Sequence, residues 1–133
     1  MWAQASASVA ASDPSTAAQP SGPSDLNTLG VTAARRGQFE LGVDYLRKAL
    51  QANPGDALLR KNLSGILTDW ASQREQAGDV ERAEQLLLEA IAHDGDNSAA
   101  LARLGDLCYF KRSDFTQAIE YWKRAYGKLP TAE

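Results

Sequence analysis

Apolar residues recur along this chain at helical spacing. In residues 37–54, GQFELGVDYLRKALQANP, the positions Phe39, Gly42, Val43, Leu46, Ala49 and Leu50 fall at offsets 0, 3, 4, 7, 10 and 11. That is one stripe of a 3.6-residue period. The unit returns from Gly78 as GDVERAEQLLLEAIAHDG, with Val80, Ala83, Leu87, Ala90 and Ile91 at matching offsets. It returns again from Ser113 as SDFTQAIEYWKRAYGKLP, with Phe115, Ala118, Ile119, Trp122, Ala125 and Tyr126. Three copies of one unit set the architecture, because each must bury the same stripe against a neighbour.

Further helical stripes lie between the copies. A short helix is predicted from Asp25, a fair N-cap, through Leu26, Leu29, Ala33 and Arg36 to a stop at Gly37. After the first copy, Asn53-Pro54-Gly55 breaks the chain, since proline cannot continue a helix. Asp56 caps the next helix, whose stripe is Leu59, Leu63, Ile66, Leu67 and Trp70. Its pattern runs on to Ala77, which makes a helix of about 22 residues, roughly 33 Å long. Asn97 or Ser98 caps a helix bearing Leu101, Leu104, Leu107 and Cys108. Asp114 caps the last one, with Gln117 three residues on as a capping-box partner. Gly127 ends it and Pro130 prevents continuation. The sequence thus predicts six helices in three antiparallel pairs, an all-α stack.

Residues at fixed places within each pair resemble the tetratricopeptide repeat family over about residues 25–130. In the first pair they are Leu29-Gly30, Gly37, Phe39, Leu46, Ala49 and Pro54, with Gly42 where alanine is usual. In the second they are Asn62-Leu63, Gly78, Ala83, Leu87 and Ala90, with Gly95 for the closing proline. In the third they are Leu104-Gly105, Tyr109, Phe115, Ala118, Trp122, Ala125 and Pro130. The resemblance implies a right-handed α-solenoid of three helix-turn-helix repeats, at about residues 25–54, 56–95 and 97–130. Gly30, Ser64 and Gly105 would let helices approach closely, with Leu46, Leu87 and Trp122 filling the space beside them.

The spacing departs from an even 34-residue array. Phe39 and Val80 are 41 positions apart, and Val80 and Phe115 are 35 apart. Seven extra residues advance a helix by roughly 10 Å and turn its face by only about 20°. The insertion therefore keeps the stripe in phase. It falls within residues 70–78, WASQREQAG, and predicts a long, solvated first helix in the second repeat. A loop over residues 72–78 is the alternative. The single extra residue near Lys111-Arg112 should sit in a turn.

Composition narrows the function. Net charge is −3 with both signs mixed and no basic run, which argues against nucleic acid. No apolar run is long enough to span a membrane. Residues 1–24 are mostly Ala, Ser, Pro and Gln, and read as a flexible tail or linker. Ala3-Gln4-Ala5 fits a signal-peptidase pattern, but the apolar segment that should precede it is absent, and chance in an Ala-rich tail explains it better. His93 is the only histidine, and the DGDNS that follows lacks the glycine and distant glutamate of a calcium loop. Cys108 has no cysteine or histidine partner. No catalytic site, metal or cofactor is expected.

In the family, the first helix of each repeat lines a concave groove. The resemblance places Asn27, Val31, Arg35, Lys61, Asn62, Asp69, Arg103, Asp106 and Tyr109 there, with Ala34, Leu58, Gly65, Thr68, Ala99, Ala102 and Phe110 at other groove positions. Some members grip acidic chaperone tails with a five-residue clamp. Only Asn62 and Arg103 match that set, so this ligand is rejected. The expected partner is a peptide or protein segment lying in the groove. The alternative is an assembly or docking segment of a larger, exported protein. Tyr121, Trp122 and Tyr126 would then lie at an uncovered C-terminal end that packs a following domain or forms a homodimer.

Overall fold

The computed structural model describes residues 22–127. The tail over residues 1–21, with its Ala3-Gln4-Ala5 motif, and Pro130 lie outside them. The described residues form α1 (Pro23–Arg35), α2 (Phe39–Ala52), α3 (Ala57–Gln76), α4 (Val80–His93), α5 (Ser98–Phe110) and α6 (Phe115–Tyr126). Each odd helix packs on the even helix after it, and the hairpins stack through α2 on α3 and α4 on α5. The fold is an all-α helical-repeat solenoid.

One apolar cluster runs through the stack from Leu26 in α1 to Leu107 in α5. Leu46, Leu63, Leu67, Leu86, Leu87, Leu101 and Leu104 are fully buried within the protein. Each contributes about 1.5–3 kcal/mol by leaving water. Small residues set how closely the hairpins close. A Cβ on Gly30 would lie 2.9 Å from the carbonyl oxygen of Gly42, and one on Gly42 would lie 2.8 Å from that of Gly30. Glycine replaces the usual alanine at 42 because α1 and α2 cross backbone to backbone. A Cβ on Gly105 would collide with the Trp122 indole. Ser64 is fully buried and donates to the Ala90 carbonyl at 2.7 Å.

The seven-residue insertion is helix. α3 has 20 residues, whereas α1 and α5 have 13 each. The extension is less solvated than its composition suggests. Ala71 is fully buried, and Ser72, Arg74 and Glu75 are half-buried.

Two helix starts differ from expectation. α1 begins at Pro23, so Asp25 sits inside the first turn. Proline suits that place, where its fixed φ is helical and its missing N–H is not needed. The capping box at Asp114 is half made. Its carboxylate accepts from the Gln117 N–H at 3.1 Å, but its own N–H goes to the Cys108 carbonyl at 2.8 Å. Gln117 therefore has no donor to receive. The extra residue of the α5–α6 connection lies in the turn, which leaves Ser113 at φ 53°, where Gly37 and Gly78 stand at φ 80° and 86°.

Candidate functional site

The first helices α1 and α3 lie side by side, and between them is a pocket of about 260 Å³. Val31, Ala34 and Arg35 of α1 line it with Lys61, Asn62, Gly65, Ile66 and Asp69 of α3. Arg35, Lys61 and Asp69 are exposed and form no ion pair among the described residues. The Asn62 side-chain amide donates to Asn27 Oδ1 at 2.8 Å, which ties α3 to α1 at the edge of the pocket.

The residues expected on α5 are differently placed. Arg103 donates to Glu75 Oε1 at 3.4 Å, so it is partly held by the α3 extension. Asp106 accepts from the Trp122 indole N–H at 3.1 Å. Tyr109 belongs to an aromatic cluster. Its ring meets Phe110 edge-on at 4.9 Å and Phe115 at 5.0 Å, and lies tilted to Trp122 at 5.5 Å. Thr68 does not line the groove: it is buried, donating to the Ser64 carbonyl at 2.8 Å and accepting from Asn97 at 3.0 Å.

At the C-terminal end, Tyr121 packs against the core, and Trp122 is half-buried over Gly105. Of the three aromatics expected there, Tyr126 is the open one at 56% exposure. The sequence reading did not assign to this end three other exposed apolar residues, Phe110 at 72%, Phe115 at 53% and Ile119. A signal was available. Phe39 and Leu50 of α2, in register with Phe115 and Tyr126, pack against the core with α3 following. Among the described residues no helix follows α6.

His93 lies 3.5 Å from Glu89, which also holds Arg47 through two bonds of 2.7 and 2.8 Å. Arg112 grips Glu84 in the same way. The two arginine pairs bridge successive hairpins, whereas His93 and Glu89 lie one turn apart on α4. Among the described residues no three His, Cys, Asp or Glu side chains are grouped to hold a metal, and no helix is long and apolar enough to cross a membrane.

Residues 68–133 match the tetratricopeptide repeat family. The solved structure of MamA is similar, at 16% identity over 81% of this chain and 78% of that chain, with a TM-score of 0.44. No curated protein matches the chain. The matched segment begins in α3, and the α1–α2 hairpin before it repeats the same small, large and turn residues. The chain carries a tetratricopeptide repeat domain, a module whose repeats mediate protein–protein interaction.

Proposed function

We infer that the protein binds a peptide or protein segment on the face carried by its first helices. The pocket between α1 and α3 supports this reading most directly. It combines an apolar floor, Val31, Ala34 and Ile66, with Arg35, Lys61 and Asp69, which form no ion pair among the described residues. An extended or helical segment bound there would bury an apolar anchor and pair its charges at the rim. Arg103 and Asp106 shape the far end through Glu75 and Trp122, and Tyr109 offers a ring edge. Affinity capture with wild type and with the Arg35→Glu/Lys61→Glu variant tests it, using mass spectrometry. A protein retained by the first and lost by the second is expected. Identical captured sets would sink the groove reading.

A second reading rests on the open α6 face. Phe115, Ile119 and Tyr126 are exposed where the matching face of α2 is covered by the next hairpin. Such a face favours packing on a following domain or a second copy. Sedimentation at increasing concentration tests the second copy, with a dimer expected and a clean monomer counting against it.

A further inference from the structure

The lengthening of α3 builds a second concavity that shares no lining residue with the groove. It has a volume of about 620 Å³ and lies between the start of α2 and the extension. Gly37, Gln38, Phe39, Glu40, Leu41 and Asp44 form one side, and Trp70, Gln73 and Arg74 form the other. A 13-residue α3, the length of α1 and α5, would stop before Trp70, and the second wall would not exist. The pocket is therefore specific to the insertion.

Its lining leaves three needs unmet. Glu40 and Asp44 stand four residues apart on α2, both exposed, and neither forms an ion pair among the described residues. Like charges at that spacing repel, and an incoming cation relieves them. Arg74 Nε makes no hydrogen bond among the described residues and has almost no exposed surface, so the half-buried side chain must turn slightly into the pocket to meet an acceptor there. Leu41 is 43% exposed beside the half-buried rings of Phe39 and Trp70. Arg82 sits over Trp70, 5.2 Å from the ring centre, and steadies the indole.

These needs discriminate between occupants. An anion would satisfy Arg74 but meet two carboxylates. A bare metal ion would satisfy the carboxylates and leave Arg74 and the apolar wall unserved. A polypeptide with a basic side chain beside an apolar one meets all three. We propose that this pocket docks a protein segment presenting lysine or arginine next to an apolar residue. The cation pairs with Glu40 and Asp44. The apolar neighbour lies on Phe39, Leu41 and Trp70. A main-chain carbonyl accepts from Arg74.

The test uses two fluorescein-labelled peptides blocked at both ends, Gly-Leu-Lys-Leu-Gly and Gly-Leu-Glu-Leu-Gly, with anisotropy as the readout. The lysine peptide should bind wild type at least tenfold more tightly than the glutamate peptide. Glu40→Lys with Asp44→Lys should reverse that preference, and both sites are exposed enough for the variant to fold. Lys61→Glu, in the groove, should leave it unchanged, which separates this site from the groove reading. Arg74→Met decides the carbonyl contact, because methionine keeps the length of the stem and has no N–H. It removes the charge and the donor together, so simple electrostatics would tighten lysine-peptide binding, whereas loss of a needed donor weakens it severalfold. Absent saturable binding, equal binding of the two peptides, an unreversed preference, or tighter binding by Arg74→Met would each overturn the proposal.

Discussion

Asn97 and Ser64 are joined across two repeats by a hydrogen bond of 2.8 Å from the asparagine amide to the serine hydroxyl. The same amide also donates to Thr68 Oγ1 at 3.0 Å, while Asn97 Oδ1 accepts from the Ala100 N–H and caps α5. Ser64 and Thr68 spend their own protons on the carbonyls of Ala90 and Ser64. Neither hydroxyl has a proton left, so residue 97 must be a donor here.

Asn97→Asp is therefore expected to destabilise the protein, although aspartate caps helices as well as asparagine does. The new carboxylate would face two hydroxyl oxygens with no proton between them. The cost should be about 2 kcal/mol, the range for breaking and frustrating a shielded hydrogen bond. Urea denaturation checks it, and a stability equal to wild type would contradict the network.

Ser113→Gly should stabilise the protein. Ser113 holds the left-handed conformation that glycine holds at the two matching turns. A residue with a Cβ pays roughly 1–2 kcal/mol there. Glycine's greater unfolded-state freedom returns part of that, so a gain of about 0.5–1 kcal/mol is expected. A thermal melt of the variant measures it.

The three hairpins and the long α3 were legible in the sequence because they rest on period and spacing. Gly30 and Gly105 were legible for the same reason, since small and large residues recur at fixed places. The Asn97 joint was not. It gathers α3, the end of α4 and the start of α5, and Thr68 alone reads as one more surface position. Trp122 carried two expectations, a filler beside Gly105 and a member of an open end, and the indole folds over Gly105 while Tyr121 packs on the core. The pocket at Trp70 and Arg74 was equally hidden. It exists only where the extension stands opposite the first turns of α2.

Stability should fall at alkaline pH. Burial, with Asp114 and Glu84 nearby, pushes the Cys108 thiol above its ordinary value, against the opposing Arg112. Burial, then Cys108 and Glu84, raises Tyr121 likewise, against Arg124. A group that holds its proton more tightly when folded stabilises below its unfolded pKa. That contribution is lost as pH rises towards the folded value. The decline should begin above about pH 8.5, the ordinary cysteine range. Cys108→Ala should flatten its first part in denaturation midpoints measured against pH.

Gly30→Ala sets two effects of opposite sign against each other. Within a helix, alanine is favoured over glycine by about 1 kcal/mol. Were α1 free on its outer face, the substitution would stabilise the protein. Gly30 is buried, however, and its new methyl would meet the Gly42 carbonyl oxygen at 2.9 Å and Leu46 Cγ at 3.0 Å. The leucine can shift, but the carbonyl belongs to the α2 backbone and cannot move without parting the helices. Overpacking of this kind costs about 1–3 kcal/mol. Because the obstacle is backbone, the upper half of that range applies, and a net loss of about 1–2 kcal/mol is expected. Gly65→Ala is the matched control, since a Cβ there meets nothing within 4 Å and only the propensity gain remains. Chemical denaturation of the pair should give shifts of opposite sign. Two stabilising shifts would mean that α1 and α2 do not cross as closely as the reciprocal contact of Gly30 and Gly42 requires.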